Sequence, residues 1–185
     1  MKSECNEIKT CAIHLITGGS GSGKSAYAEG QVLDAGEGQR VYIATMIPYG
    51  EDGRQRVLRH RELRKTKKFE TVECYTDLRK LEIPEHSIVL LVCMSNLVAN
   101  EMFEPAGAHE DTVAAVLEGV RHLMGQAKEL FVVTNEVFSD GISYDEETVR
   151  YLSYLGAVNQ ALGEIADTVT EVVYGLPVKV KPVEV

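Results

Sequence analysis

The chain has 185 residues, of which 44% are hydrophobic and 25% charged, a balance typical of a folded globular protein. Its formal net charge of −9 argues against sequence-independent binding to nucleic acid. No apolar run approaches the roughly 18 residues that a membrane span needs, and the N-terminus lacks the apolar core of a signal peptide. We therefore expect a cytoplasmic protein that binds neither a membrane nor a nucleic acid.

Short apolar runs alternate with amphipathic segments along the chain. The runs that predict strands are residues 12–17, 41–45, 69–75, 88–94, 130–134, 169–174 and 178–180. Helical patterns cover residues 24–35, the middle of 51–68, and residues 96–103, 111–127 and 145–166. This alternation predicts an α/β fold with a mostly parallel sheet. We expect a polar N-terminal extension over residues 1–11 and a single domain over residues 12–185.

The four cysteines show no C-x-x-C spacing, so the sequence does not predict a zinc site. We expect reduced thiols. Cys93 lies within the apolar run 88–94, which predicts that its thiol is buried in a strand.

A glycine-rich stretch between the first predicted strand and the first predicted helix matches the pattern G-x-x-x-x-G-K-[ST] in full. Its residues are Gly18, Gly19, Ser20, Gly21, Ser22, Gly23, Lys24 and Ser25. Glycines permit the tight turn that aims backbone N–H groups at phosphate oxygens, and the following helix adds a partial positive charge. Lys24 is expected to reach the β- and γ-phosphates, and the Ser25 hydroxyl is expected to join a Mg²⁺ shell. The stretch, called the phosphate loop below, predicts a nucleoside triphosphate site.

Residues 51–68, called the basic segment below, have a local excess of positive charge in an otherwise acidic chain. Its basic residues are Arg54, Arg56, Arg59, Arg61, Arg64, Lys65, Lys67 and Lys68. Eight basic and three acidic side chains give it a charge of +5, so the other 167 residues carry −14. At helical spacing His60 shares a face with Arg56 and Arg64, and these two charges favour a neutral imidazole that can act as a nucleophile or base. The alternatives are a solvated helix face or a nucleic-acid patch, although few aromatic residues accompany it.

Enzymes with a phosphate loop usually place a carboxylate at the end of a second buried strand. The natural strand here is 88–94, and it contains no acid: Val92 and Cys93 stand at its end. Glu73 and Glu136 follow other predicted strands. Either could face a nucleotide at the carboxyl edge of the sheet or lie exposed at a strand end.

The ordered set of motifs resembles one known family. After the phosphate loop come YIAT ending at Thr45, R-V-x-x-H-x-x-x-R around His60, TVE ending at Glu73 and TNEV containing Glu136. Together they resemble the bifunctional adenosylcobinamide kinase / adenosylcobinamide-phosphate guanylyltransferase family over about residues 13–181.

The resemblance implies a P-loop NTPase (RecA-like) three-layer sandwich that carries out two reactions. In the first, the aminopropanol hydroxyl of adenosylcobinamide takes the γ-phosphate of ATP or GTP. In the second, GTP guanylylates a histidine and the phosphorylated cobinamide captures the GMP. The nucleophile corresponds to His60, and Lys24 is also catalytic. Nucleotide contacts beyond the phosphate loop correspond to Thr45, Met46, Arg61, Glu62, Leu63, Arg64, Glu73 and Val92. The resemblance further implies Mg²⁺ at Ser25 and a homo-oligomer, a trimer.

The chain departs from the family pattern at four positions. Val92 stands where the family usually has an acid, and Phe138 stands where it has a glycine. Leu152 and Ser153 replace a usual Arg and Asp. Two alternatives therefore stay open: a divergent paralogue that binds nucleotide but has lost one or both activities, and a small-molecule kinase without the nucleotidyl step.

Overall fold

A computed structural model describes residues 11–51, 53–55, 58, 62, 67–138 and 141–181. Its centre is a seven-stranded sheet in the order β3-β2-β4-β5-β1-β6-β7. The strands are β1 (Ala12–Thr17), β2 (Arg40–Ala44), β3 (Phe69–Glu73), β4 (Ile88–Val92), β5 (Glu129–Val133), β6 (Thr168–Val173) and β7 (Leu176–Lys181). All neighbouring strands are parallel except the β6–β7 pair. The predicted α/β fold with a mostly parallel sheet is confirmed.

Helices cover both faces of this sheet. They are α1 (Lys24–Asp34), α2 (Met94–Phe103), α3 (Thr112–Gln126) and α4 (Glu146–Ile165). On one face α1 packs Ala28 and Val32 against Phe131 and the other side chains of that core. On the other face α2, α3 and α4 form a larger apolar core with the opposite side of the strands. The central strands read as continuous apolar runs because both of their faces are covered.

The parallel strands bring several chain segments to one edge of the sheet. The carboxyl ends of β1, β2, β4 and β5 all lie at this edge. Beyond the strands, Thr134 N donates to Ile16 O at 2.9 Å, and Thr45 N donates to Val92 O at 3.0 Å. The loops that follow these four strands are therefore adjacent, as expected for the ligand-binding edge of an open α/β sheet.

The strand formed by the apolar run 88–94 is shorter than the sequence predicts. The strand β4 ends at Val92 and α2 begins at Met94, so Cys93 is the single residue between them. The prediction that Cys93 is buried in a strand is wrong, because the early start of the helix places this half-buried residue at the edge of the sheet. The other described elements begin and end within a few residues of their predicted bounds.

The basic segment is described in part. Residues 50–51, 53–55, 58 and 62 are helical, in agreement with the helix predicted there. Residues 1–10 of the N-terminal extension lie outside the described residues. No helix in the described part of the chain has the length and hydropathy needed to cross a membrane.

Candidate nucleotide-binding site

The phosphate loop has a backbone that requires glycine. Gly18, Gly21 and Gly23 have φ angles of 151°, 72° and 91°, which L side chains rarely adopt. A Cβ atom on Gly18 would lie 2.5 Å from Val172 O of β6, so this glycine also allows a close approach of two backbones. The loop joins β1 to the N-terminus of α1, where free N–H groups and the helix dipole attract anions.

Lys24 is the first residue of α1, and it is almost wholly buried beside the phosphate loop. Its side chain is 9% exposed, and Nζ donates to Gly19 O at 3.1 Å. Burial lowers the pKa of Lys24, while the neighbouring Cys93 thiol, which is negative when ionised, opposes this shift. The hydrogen bond holds the ammonium group against the loop, where a bound phosphate would meet it.

The Ser22 hydroxyl in the loop lacks a hydrogen-bond partner among the described residues. Ser22 Oγ is buried, and none of the described groups forms a hydrogen bond with it. A buried hydroxyl without a partner is costly, so a loop that carries one fits a ligand with oxygen acceptors. A phosphate group has this chemistry.

A second polar cluster follows β2, β4 and β5. Thr45 is fully buried, and its Oγ1 donates to Cys93 O and accepts from Cys93 N–H, both at 2.8 Å. Asn135 Nδ2 donates to Ser95 Oγ at 2.6 Å and to Cys93 Sγ at 3.2 Å. The Cys93 thiol lies 2.8 Å from Ser95 Oγ. These bonds join three strand ends beside Lys24.

Sequence reasoning predicted Thr45 as a nucleotide contact but missed Ser95 and Asn135, although a signal was present. Ser95 and Asn135 follow directly after the two most apolar strands, where residues reach the binding edge of a parallel sheet. Tyr151 was also missed: it lies on α4, and its hydroxyl donates to Ser95 O at 3.3 Å. Burial raises the pKa of Tyr151, so the phenol stays protonated as a donor at neutral pH.

The remaining predicted nucleotide contacts are spread along the edge. Val92 is half-buried at the end of β4, and Met46 is half-buried directly after Thr45. Glu73 is exposed at the end of β3 and accepts from Tyr75 OH at 2.8 Å. Because four strand spacings separate β3 from β1, Glu73 lies roughly 19 Å across the sheet from the phosphate loop.

The basic segment is connected to the phosphate-loop helix. Lys67 donates to the carboxylate of Glu29, a buried residue of α1. Glu62 is exposed and helical. The predicted nucleophile His60 lies outside the described residues, as do Arg61, Leu63 and Arg64, so their roles stay predictions.

A family model described as "Cobinamide kinase / cobinamide phosphate guanyltransferase" matches residues 14–180. The chain belongs to this family. The bifunctional adenosylcobalamin biosynthesis protein CobU of Escherichia coli is 32% identical over 182 residues, covering 90% of this chain and 98% of that protein. The protein of the same name from Salmonella typhimurium is 30% identical over 181 residues, with the same coverage.

Among solved structures, the flagellar accessory protein FlaH of Methanocaldococcus jannaschii matches with a TM-score of 0.45 and 13% sequence identity. The match covers 93% of this chain and 79% of that one.

Proposed function

We propose that this chain catalyses two reactions: phosphorylation of adenosylcobinamide, and transfer of GMP from GTP to the phosphorylated product. The main observation behind the proposal is the phosphate loop between β1 and α1. Its glycines have positive φ angles, and its lysine, Lys24, is buried. Family membership over residues 14–180 supports it. The relatives from E. coli and S. typhimurium are named bifunctional adenosylcobalamin biosynthesis proteins, which agrees with two reactions in one chain.

In the first reaction the phosphate loop holds ATP or GTP. The substrate hydroxyl attacks the γ-phosphorus, and the nucleoside diphosphate leaves. Backbone N–H groups of Gly18–Ser25 and the Lys24 ammonium bind the phosphate oxygens and offset the charge that builds up during transfer. The Ser22 hydroxyl, which has no partner among the described residues, is a further donor in this loop.

In the second reaction His60 attacks the α-phosphorus of GTP and pyrophosphate leaves. The phosphate of the phosphorylated cobinamide then takes the GMP from the histidine. A neutral imidazole is required, and guanidinium groups at helical spacing from His60, those of Arg56 and Arg64, would favour that form. Thr45, Met46, Arg61–Arg64, Glu73 and Val92 are proposed nucleotide contacts that follow from the resemblance.

The described residues fit a Mg²⁺ ion held mainly by the nucleotide and water. Ser25 offers one hydroxyl, Val92 offers no ligand, and the described part of the chain contains no cluster of three acidic, histidine or cysteine ligands. This donor set suits Mg²⁺, which keeps several waters and binds substrate phosphates. When bound, the ion would neutralise charge on the β- and γ-phosphates.

We further propose a cytoplasmic homotrimer in which residues 12–185 form one P-loop domain. The trimer follows from the family resemblance. The edge strand β7 supports assembly, because Leu176, Val178 and Val180 alternate along it and are 69%, 48% and 62% exposed. Sedimentation equilibrium gives the mass of the assembly, and a monomer at micromolar concentration would contradict this part of the proposal.

Incubation with GTP labelled at the α-phosphorus tests the function. We expect covalent label on the wild-type protein, none on His60→Ala, and full label on His86→Asn. His86 is an exposed histidine with a φ angle of 58°, a backbone conformation that Asn tolerates, so this variant is a matched control. Adding adenosylcobinamide and ATP should release the label as adenosylcobinamide-GDP.

Two other results would change the assignment. Equal labelling of His60→Ala would show that another residue is the nucleophile. Binding of GTP without label or corrinoid product would favour the inactive paralogue, for which the apolar Val92 is the supporting observation.

A further inference from the structure

A cavity lies beside the phosphate loop, between the loop after β5 and the first turns of α4. It comprises two adjoining pockets of about 560 Å³ and 440 Å³, whose linings share Val137, Tyr144 and Leu152. The part next to the phosphate loop is lined by Ser20, Glu136, Tyr144, Thr148, Tyr151 and Leu152. Because Ser20 is at the tip of the phosphate loop, a molecule in this cavity would lie close to the phosphates of a bound nucleotide.

Glu136 is the carboxylate among the residues that line this part of the cavity. Its backbone N donates to Gly18 O at 3.1 Å, so its position is tied directly to the start of the phosphate loop. One carboxylate oxygen accepts from Phe138 N at 3.0 Å. Two backbone contacts therefore hold Glu136 between the nucleotide site and the cavity.

Other acids near this edge of the sheet are placed less well for a reaction at the phosphate loop. Glu73 lies roughly 19 Å away across the sheet. Glu101 of α2 is nearly fully buried, and its two oxygens accept from the backbone N–H groups of Asp77 and Ala108 at 2.6 and 2.9 Å. Glu171 of β6 pairs in register with Thr17 but does not line the cavity.

The end of β4, where a phosphate-loop enzyme usually carries its acid, holds Val92 in this chain. The neighbouring thiol of Cys93 is bonded to Ser95 and Asn135. A reaction at a hydroxyl group therefore needs its carboxylate from another element of the same edge. The segment after β5 supplies one.

We propose that Glu136 accepts the proton of the substrate hydroxyl during phosphoryl transfer. The hydroxyl oxygen forms a bond to the γ-phosphorus, the bond from the γ-phosphorus to the β–γ bridging oxygen breaks, ADP leaves, and the proton passes to the Glu136 carboxylate. The acceptor is an alcohol whose bulkier part lies against Tyr144 and Leu152 in the cavity. This inference rests on the kinase activity proposed above.

The test compares Glu136→Gln with Glu146→Gln in phosphorylation of adenosylcobinamide by ATP. Glu146 is an exposed residue in the first turn of α4, so its variant makes the same charge change close by without entering the cavity. We expect kcat of Glu136→Gln to fall about 10²-fold or more, the usual contribution of a positioned base. The KM for ATP and the labelling of the protein by GTP should change less than twofold.

Glu136→Asp separates a proton acceptor from a structural residue. It keeps a carboxylate one methylene shorter, so we expect it to retain more activity than Glu136→Gln. A kcat of Glu136→Gln within threefold of the wild-type value would overturn the inference and leave the proposed function intact. Loss of ATP affinity equal to the loss of kcat would also overturn it, because Glu136 would then act by holding the loop. Failure of the wild-type protein to phosphorylate adenosylcobinamide would overturn the proposed function itself, and this inference with it.

Discussion

The phosphate loop and the basic segment both carry residues suited to a triphosphate, and they are built in opposite ways. The phosphate loop is formed mainly by backbone. Gly18 allows this backbone to approach β6 closely, and Lys24 of the loop is only 9% exposed. The basic segment is rich in charged side chains in its sequence. In its described part, Arg54 and Glu51 form a 3.5 Å ion pair in which both side chains are about two-thirds exposed.

Stability and chemistry are coupled in the phosphate loop and largely separate in the basic segment. Buried backbone geometry is fixed by packing, so a change in the phosphate loop alters the fold and the reaction together. Exposed charges contribute little to stability and are screened by salt, so a change at an exposed charge of the basic segment should alter nucleotide chemistry with little effect on the fold. Lys67 is the exception, because it pairs with the buried Glu29 of α1. Substitutions in the two regions should therefore differ in how they change stability and activity.

Replacement of Lys24 by alanine should have the largest effect on activity. We predict that both reactions begin with a triphosphate in the phosphate loop. Removal of the Lys24 ammonium should therefore lower each rate roughly 10³-fold, the loss typical of one charge-stabilising donor. Lys128→Ala, at an exposed position away from the loop, is the control. Rates are measured with labelled ATP and GTP. If Lys24→Ala still acquires GMP label at the wild-type rate, the two regions bind different nucleotides and the comparison fails.

Replacement of Gly18 by alanine should have the largest effect on stability. The new Cβ would lie 2.5 Å from Val172 O and 2.7 Å from Ser22 Oγ, at a φ angle that L side chains rarely adopt. We expect a loss of about 2–4 kcal/mol in the free energy of unfolding. Gly30→Ala in α1 has open space for its Cβ and should instead stabilise by about 0.5–1 kcal/mol. Urea denaturation of both variants checks the contrast, and equal stabilities would contradict it.

The sequence predicts the phosphate loop and most strands because their signals are local. The eight residues from Gly18 to Ser25 are contiguous, and a parallel sheet covered on both faces produces long apolar runs. The cluster of Thr45, Cys93, Ser95 and Asn135 could not be assembled in this way. Its members follow the ends of three strands, and their contacts depend on the order β2-β4-β5, which local periodicity does not reveal.

The end of β4 is a second feature that local sequence signals do not predict. The run 88–94 is apolar throughout, so periodicity cannot show that the strand stops at Val92 and that a helix starts two residues later. The thiol of Cys93 is therefore placed beside Lys24 rather than in the core. The position of Glu136 beside the phosphate loop likewise follows from β5 being a neighbour of β1, which the sequence does not show.

Replacement of Lys67 by methionine tests how the basic segment is attached to the phosphate-loop helix. The carboxylate of Glu29 is mostly buried, and without Lys67 it loses its cation. We expect a loss of about 1–2 kcal/mol in the free energy of unfolding. Lys68→Met, at the exposed neighbouring position, should change it by less than about 0.5 kcal/mol. If the two variants are equally stable, the Lys67–Glu29 contact does not anchor the segment.

Thiol modification distinguishes the polar cluster beside the phosphate loop from the rest of the edge. Burial raises the pKa of the Cys74 thiol to about 11, so only about one molecule in a thousand carries its thiolate at pH 8. We expect slow alkylation of Cys74 by iodoacetamide whether or not ATP is present. Cys93 is half-buried beside Lys24, and saturating ATP should slow its alkylation several-fold. Peptide mass analysis measures both rates, and equal alkylation of Cys93 with and without ATP would place the nucleotide elsewhere.

The smallest effect is expected at the start of α4, the helix that carries Thr148 and Tyr151 to the cavity. Asp145 caps this helix by accepting from Thr148 N at 2.9 Å, and that bond lowers the pKa of the Asp145 carboxyl. A carboxyl with a lowered folded-state pKa adds stability above its unfolded pKa of about 3.9 and loses it as the pH falls through the folded value. Asp145→Ala should therefore have a slightly lower Tm than the wild-type protein at pH 7, and the gap should shrink below about pH 4. A gap that stays constant from pH 7 to pH 3 would mean that the side chain acts through packing rather than through its charge.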